Sequence, residues 1–204
     1  MIKRIILASA SPRRSEMLEK FNIKFEIIPS DASEDISESM PHDEYVCELA
    51  KRKGEAVRDM LISRGEDLSD TLIISCDTIV SYDGRVIGKP KNEMHAAITL
   101  SLLSDSRHEV YSGLSLICGD EQYIDFAKTS VKFAEIGEET ISEYVKSGEP
   151  MGKAGSYAIQ GVAASFVERI EGDYSNIVGF PLALFCKMLR RYFGMSIFEL
   201  GKIR

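Results

Sequence analysis

Residues Ile5 to Arg14 read IILASASPRR, an apolar run that passes into small polar residues and then into two arginines. The run predicts a strand, and the pair Ser11-Pro12 predicts a helix start, with Ser11 as N-cap and Pro12 at the first helical position. Free N–H groups at a helix N-terminus attract anions, and Arg13 and Arg14 lie next to them. The segment therefore predicts a phosphate site. The alternative is that Ser-Pro only starts a helix and both arginines are solvated.

Outward from this segment, strand and helix patterns alternate, which is typical of an α/β fold with helices covering a central sheet. Strands are predicted at residues 2–8, 25–28, 71–80, 86–87, 108–118 and 122–133. Helices are predicted at residues 12–21, 43–63, 92–103, 138–146 and 181–192. The glycine-rich segment 148–161 predicts a loop, with room for a short strand at Tyr157 to Ile159.

The overall composition narrows the class of protein. The chain has 204 residues, 44% of them hydrophobic, and a formal net charge of -7. This charge repels phosphate polymers, so it argues against a general nucleic-acid or membrane-surface binder. No apolar run approaches the ~20 residues that span a bilayer, and the first strand is too short for a signal peptide. We expect a cytoplasmic protein that forms one compact domain, with two small lobes around a cleft as the alternative.

The four cysteines are widely spaced and lack a zinc-site pattern, so we expect reduced thiols at positions 47, 76, 118 and 186. The three histidines are scattered along the chain and predict no site; they are His42, His95 and His108.

Asp77 is the strongest catalytic candidate, because it follows the buried-strand pattern at residues 71–75. A carboxylate there is costly to desolvate unless it meets a cation, a metal or hydrogen-bond donors. Lys89 follows the turn at Asp83-Gly84, and a hairpin can return its ammonium to the same end of the sheet. The alternatives are an aspartate at a strand end that faces solvent and a solvated lysine.

Further charged candidates precede Asp77. Glu34 lies in the acidic segment 31–35, where most carboxylates are expected to be solvated, but one of them can help Asp77 to hold magnesium. Mg²⁺ binds triphosphates through one or two protein carboxylates, phosphate oxygens and water. Lys53 lies on the polar face of the longest predicted helix, and the alternative there is an ordinary solvated face.

The segment GEPMGKA at residues 148–154 is not a P-loop, since it has three residues between its glycines and an alanine after its lysine. A kinase or a P-loop ATPase is therefore disfavoured. Gln160, at the end of this loop, carries an amide that suits either a base edge or the loop backbone.

Six separated blocks, spread over nearly the whole chain, resemble the Maf family of septum-formation-like nucleoside triphosphate pyrophosphatases. They are LASASPRR at 7–14, CDTIV at 76–80, GKP at 88–90, TSVKF at 129–133, EPMGKAGSYAIQG at 149–161 and EGDYSNIVGFP at 171–181. The resemblance implies one Maf-like domain over residues 1–204. It also implies a central mixed β-sheet flanked by helices around a cleft, similar to the inosine-triphosphatase type.

The resemblance further implies cleavage of a nucleoside triphosphate to the monophosphate and pyrophosphate with a divalent metal, Mg²⁺ or alternatively Mn²⁺. Asp77 would be the catalytic residue and a metal ligand, with Glu34 as the second acidic ligand. The implied phosphate-binding residues are Ser9, Arg13, Arg14, Lys53 and Lys89. The residues associated with base choice are Arg13, Thr78 and Gln160, in a combination similar to the branch acting on dTTP and UTP rather than on 7-methyl-GTP.

Two functions of different classes follow. The first is hydrolysis of dTTP and UTP, and of modified pyrimidine triphosphates, with the nucleotide as partner and no nucleic acid or membrane. The second is a nucleotide-binding regulator of septum formation or cell division in which hydrolysis is weak. The sequence leaves a homodimer open. A metal-bound Asp77 would be a poor general base, because the cation lowers the pKa of a carboxylate, so water activation by the metal is the simpler account.

Overall fold

The computed structural model describes residues 2–35 and 40–203 and contains a mixed β-sheet. Its strands are β1 Arg4–Leu7, β2 Glu26–Ile27, β3 Thr71–Tyr82, β4 Arg85–Ile87, β5 Arg107–Cys118, β6 Glu121–Phe133 and β7 Val167–Glu171. The strand order is β2-β1-β3-β5-β6-β7, and β4 pairs with β3 off this path. Strand β1 is parallel to β2 and β3, whereas β4 and β7 run antiparallel to their partners. The predicted α/β class with a mixed sheet is confirmed.

Helices connect and flank these strands. They are α1 Pro12–Glu19, α2 His42–Ser63, α3 Glu93–Leu103, α4 Glu138–Lys146, α5 Tyr174–Val178, α6 Leu182–Phe193 and α7 Ile197–Leu200, with 3-10 turns at Ala154–Ser156 and Val162–Phe166. Within the described ranges, none of the helices combines the length and apolar character needed to cross a membrane.

The predicted elements differ from the observed ones mainly in the last third of the chain. The strand suggested at Tyr157 to Ile159 is wrong, because residues 157–159 pair with no strand and follow a 3-10 turn that contains positive φ angles at Gly155 and Ser156. Strand β7 and the short helices α5 and α7 were not predicted. Helices of four or five residues are too short to show a helical period, and VERIE in β7 does not alternate strictly.

The chain forms two compact units. The first comprises Met1–Asp77, Ser112–Ala127 and Gly179–Arg204, and the second comprises Thr78–Tyr111 and Lys128–Val178. The expectation of one domain over residues 1–204 stays a prediction. In the first unit, apolar side chains of α2 pack on β1, β3 and β5, in a cluster of Ile6, Ala8, Val57, Leu61, Leu68, Ile73 and Ile117.

Helix α2 lies unusually close to the sheet of the first unit because two glycines stand at the contact. A methyl group on Gly113 of β5 would overlap the Val46 carbonyl of α2, and one on Gly54 of α2 would lie 2.7 Å from Ser75 Oγ of β3. Ser75 Oγ also donates a 2.7 Å hydrogen bond to the Ala50 carbonyl. The glycines and this bond fix the height of α2 above the sheet.

The second unit buries an aromatic cluster. His108 of β5 is 1% exposed, and its Nε2 lies 2.9 Å from Tyr157 Oη. Phe133 of β6 packs edge-on against both rings. Burial lowers the pKa of His108 from 6.5 to about 4, so this histidine is neutral in the folded protein at pH 7. His108 therefore has a packing role in this core.

Candidate active site

The turn between β1 and α1 is organised by Ser9. Helix α1 begins at Pro12 with Ser11 in the N-cap position, as predicted, but the Ser11 side chain forms no capping bond. Instead, Ser9 Oγ accepts hydrogen bonds from the Ser11 N–H at 3.2 Å and from Arg14 Nη1 at 2.9 Å. Ser9 is 7% exposed. Ser11 therefore stands at the N-cap as predicted but does not cap the helix through its side chain, and the Arg14 N–H donates to the Ser11 backbone carbonyl at 3.1 Å instead.

The two arginines of this turn have different surroundings. Arg14 Nε donates a 3.0 Å hydrogen bond to the Gly179 carbonyl, so its guanidinium ties the turn to the start of the C-terminal segment. Arg13 is half-buried, and burial together with the charge of Arg14 lowers its pKa. Among residues 2–35 and 40–203, no carboxylate pairs with Arg13. A partly desolvated guanidinium that forms no ion pair is suited to an anionic ligand, although the Glu16 charge acts on it from a greater distance.

Asp77, Lys53 and Glu34 meet in the first unit. Lys53 Nζ lies 2.5 Å from Asp77 Oδ1 and 2.6 Å from Glu34 Oε1. The Lys53 and Asp77 side chains are only 15% and 13% exposed, whereas Glu34 is 64% exposed. The solvent-facing alternatives for Asp77 and Lys53 are therefore wrong. A mostly buried ion pair forms the base of the group, and Glu34 closes it from the solvent side.

Strand pairing explains why Asp77 is available there. Strand β1 ends at Leu7, which pairs with Ile74, and the Ala8 N–H donates to the Ile74 carbonyl at 2.8 Å. Strand β3 continues beyond this point, so Asp77 lies past the last residue that β1 covers. Ligands of open α/β sheets bind outside the carboxyl ends of parallel strands, and Ser9 follows β1 at this edge.

The charge of Lys53 is secured by its partners. Burial alone would lower the pKa of Lys53, but the Asp77 and Glu34 carboxylates outweigh burial and raise it above the ordinary value. The ammonium therefore stays protonated at neutral pH. In return, its charge offsets much of the cost of holding Asp77 away from water.

The donor set fits one hard divalent cation with few protein ligands. The Asp77 and Glu34 carboxylates contact the same ammonium, so the fold brings two oxygen-donor groups close together. Carboxylate oxygens are ligands that Mg²⁺ prefers, and Mg²⁺ often keeps only one or two of them beside phosphate and water. Across the described ranges, no cluster of three or more His, Cys, Asp or Glu side chains offers an all-protein cage.

The remaining predicted residues lie in the second unit. Lys89 is exposed after β4, and Thr78 is half-buried in β3. Gln160 is exposed directly after Ile159, which is 6% exposed and anchors the chain there. The structure thus brings Ser9 to Arg14 and Lys53 to both carboxylates. The joint role of Arg13, Thr78 and Gln160 in base choice, and of Lys89 in phosphate binding, stays a prediction.

Two residues that the sequence did not single out contact the backbone around Gln160. Glu149 accepts hydrogen bonds from the Val162 N–H, and Tyr144 accepts one from the Ala158 N–H. Glu149 stands inside the block EPMGKAGSYAIQG, so its position was visible, but nothing in the pattern showed which backbone groups it meets.

A sheet edge that presents arginine, lysine and two carboxylates is a candidate site for a phosphorylated ligand in this α/β protein. The family model described as Maf-like protein matches residues 4–192. The chain therefore belongs to the Maf-like family, and the resemblance found in the sequence is confirmed.

Relatives with a named activity match almost from end to end. A dTTP/UTP pyrophosphatase of Caldicellulosiruptor saccharolyticus is 43% identical over 192 residues, which cover 93% of this chain and 95% of that protein. A dTTP/UTP pyrophosphatase of Bacillus cereus is 42% identical over 191 residues, covering 94% and 91%. Among solved structures, the Staphylococcus aureus Ham1 protein matches 65% of this chain and 73% of its own, with a TM-score of 0.44 and 16% identity.

Proposed function

We propose that this chain is a cytoplasmic nucleoside triphosphate pyrophosphatase that hydrolyses dTTP and UTP to the monophosphate and pyrophosphate. The observation that carries the proposal is the group in which Lys53 Nζ contacts both the Asp77 and the Glu34 carboxylate. The names of relatives that match more than nine-tenths of the chain support the same activity.

Positive groups of the first unit bind the triphosphate. Arg13 offers a guanidinium that forms no ion pair with a carboxylate among the described residues, at the first turn of α1, where the helix dipole also favours anions. Arg14 and Ser9 hold that turn in shape through their mutual 2.9 Å hydrogen bond. Lys89, in the second unit, is assigned to the phosphates by the family resemblance.

Asp77 and Glu34 would hold the divalent cation. Mg²⁺ or Mn²⁺ bound there would lower the pKa of a bound water and offset charge on the phosphates. Lys53 occupies Oδ1 of Asp77 at 2.5 Å and thereby fixes the carboxylate plane. Oδ2 is then the oxygen that Asp77 offers to a ligand. Lys53 also keeps positive charge beside the reacting phosphates, which stabilises the negative charge of the transition state.

Gln160 selects the base in this proposal. Its amide presents a donor and an acceptor together, which matches the O4 and N3–H edge of uracil and thymine. Cytosine reverses that pattern and would leave polar groups unpaired, at a cost of roughly 1–3 kcal/mol each. Tolerance at C5 would also admit thymine and 5-modified uracils.

The test is a panel of dTTP, UTP, CTP, GTP and 7-methyl-GTP with Mg²⁺, followed by identification of the products. We expect monophosphate and pyrophosphate, with the highest kcat/KM for dTTP and UTP. A guanine preference would contradict the substrate while leaving the reaction in place. Tight binding of a nucleotide without turnover would favour the regulator of septum formation instead. Omission of the metal, with a chelator present, tests the proposed cation in the same assay.

A further inference from the structure

The carboxylate of Glu149 accepts hydrogen bonds from neutral donors of its own loop and of α4 in the second unit. Its Oε2 accepts the Val162 N–H at 3.2 Å, and its Oε1 accepts the Ala163 N–H at 3.4 Å and the Tyr144 hydroxyl at 3.0 Å. In the described part of the chain, no Lys, Arg or His forms an ion pair with this side chain. The nearby Lys153 ammonium donates instead to the Glu149 backbone carbonyl at 2.7 Å.

Tyr144 extends the same network to the other side of the loop. Its hydroxyl donates to Glu149 and accepts the Ala158 N–H at 3.2 Å. The Tyr144 ring is 3% exposed and packs edge-on against Phe166. Burial and the Glu149 carboxylate raise the pKa of the Tyr144 hydroxyl, so it stays protonated and remains a donor.

These bonds bracket Gln160. The backbone is held two residues before it, at Ala158, and two residues after it, at Val162. Between these points the Gly161 N–H closes a turn onto the Ala158 carbonyl at 3.0 Å. A buried tyrosine of α4 and one carboxylate therefore determine the conformation of an exposed residue that they do not touch.

Gly161 shows how closely the carboxylate approaches this turn. A methyl group added to Gly161 would overlap the Glu149 carboxylate. The close approach puts Glu149 directly beneath the residue that follows Gln160. It also provides a way to displace the carboxylate without removing it, since the obstructed group is the end of a flexible side chain.

We infer that Glu149 is a positioning residue which, together with Tyr144, holds the segment 158–163 so that Gln160 can discriminate between uracil and cytosine. The inference rests on the proposed function, because it needs Gln160 to face the base. Loss of Glu149 frees two N–H groups and lets the turn relax, and a displacement of the Gln160 amide by about 1 Å is enough to weaken the correct contact markedly.

The experiment compares kcat/KM for UTP and CTP in the wild type and in Glu149→Ala, Glu149→Gln, Tyr144→Phe and Gly161→Ala. We expect Glu149→Ala to lower the ratio of UTP to CTP by at least about tenfold, mainly through UTP. Glu149→Gln should lose less, because its amide oxygen can still accept one N–H. Glu143→Gln, an exposed glutamate on α4, is the control and should keep the wild-type ratio.

A second comparison separates positioning from mere stability. In a Gln160→Ala background, adding Glu149→Ala should leave the ratio unchanged, because the amide that Glu149 positions is already gone. Melting temperatures of all variants are recorded beside the kinetics. If Glu149→Ala does not fold, Tyr144→Phe, which removes one hydroxyl and both of its bonds, takes its place.

The outcomes distinguish the two claims. A wild type that selects UTP over CTP, with Glu149→Gln and Tyr144→Phe equal to it in ratio, overturns the inference and leaves the proposed function standing. A Glu149→Ala effect that persists unchanged without Gln160 also overturns it, since the residue would then act elsewhere. A wild type that does not distinguish UTP from CTP overturns the proposed base selection and the inference with it.

Discussion

The Lys53–Asp77 pair of the first unit and the Gln160 loop of the second hold their candidate residues in opposite ways. Lys53 and Asp77 stand on a long helix and a core strand, and they contact each other directly at 2.5 Å. Gln160 stands in an irregular segment whose neighbours are fixed by bonds from Glu149 and Tyr144 to the backbone.

The difference predicts what a substitution in each region should change. Regular elements hold a charged pair in place even when one charge is removed, so substitutions there should change chemistry more than shape. A loop held by a few side-chain bonds should change its shape when one bond is lost. Substitutions in the Lys53–Asp77 pair should therefore cost the most activity.

Asp77→Asn should lower kcat by at least the ~10²-fold that is typical of losing an acid-base or metal-orienting group. The side chain keeps its size, so the circular dichroism spectrum should stay as in the wild type. Asp83→Asn, an exposed substitution in the β3–β4 turn, is the matched control. Near-normal turnover in a folded Asp77→Asn protein would remove Asp77 from the mechanism.

Lys53→Met should reduce kcat/KM by roughly 10- to 100-fold, the worth of a hydrogen bond to a charged group. It also leaves Asp77 without its cation in a mostly buried place, so the melting temperature should fall. The control is Lys51→Met, because the Lys51 side chain is 41% exposed and its ammonium lies 3.9 Å from Glu48 Oε2. Equal kinetic constants for Lys53→Met and Lys51→Met would show that the Lys53–Asp77 pair only supports the fold. The pair would then not differ from the Gln160 loop in the way described above.

Acid should destabilise the protein through His108. Its pKa is about 4 when folded and 6.5 in the ordinary state, so the folded protein binds fewer protons than the unfolded chain between these values. The contribution of His108 to the free energy of unfolding is fully present above about pH 6.5. It declines as the pH falls towards 4, with about 2 kcal/mol lost by pH 5.

The measurement is the free energy of unfolding of the wild type and His108→Gln between pH 7.5 and 4.5. The variant cannot take up this proton, so its curve should be flatter in that range. His95→Gln replaces a histidine outside the aromatic cluster and should follow the wild type. Parallel curves for the wild type and His108→Gln would exclude His108 as the source of acid sensitivity.

The smallest expected effect concerns single phosphate contacts at the surface. Arg13→Ala and Lys89→Ala should each raise KM by about tenfold, since each removes one charge-assisted contact rather than core packing. Melting temperatures should change little. Lys91→Ala, an exposed lysine beside Lys89, is the control. A collapse in melting temperature with unchanged kinetics would mean that Arg13 or Lys89 supports the fold.

The same contrast explains how much the sequence could predict. The strand that carries Asp77 was predicted from the continuous apolar run at residues 71–75, and the helix that carries Lys53 was predicted from apolar residues at helical spacing over 43–63. The direct contact between Lys53 and Asp77 was not predicted, because a sequence pattern indicates which face of an element is buried but not how far that element lies from another. Composition alone could not choose Glu34 among its acidic neighbours, and it was named only through the family resemblance, because its contact with Lys53 is made by the fold.

The loop was less predictable for a related reason. Glycines at 148, 152 and 155 have positive φ angles, which the sequence indicates only as a general turn signal. The bonds that shape the loop come from Tyr144 and Glu149, residue types with many other uses. Base selection by Gln160 therefore stays a prediction based on resemblance, whereas the family itself is confirmed by the match over residues 4–192.

The close contact of α2 with the sheet makes one glycine of β5 essential for the position of Lys53. Any side chain at Gly113 would strike the Val46 carbonyl and lift the helix that carries Lys53. In saturation mutagenesis scored by activity, Gly113 should therefore be as intolerant as a charged residue of the site, although it has no functional group. A ranking of positions by functional groups alone would overlook Gly113, because it is the absence of a side chain there that lets α2 hold the Lys53 ammonium in place.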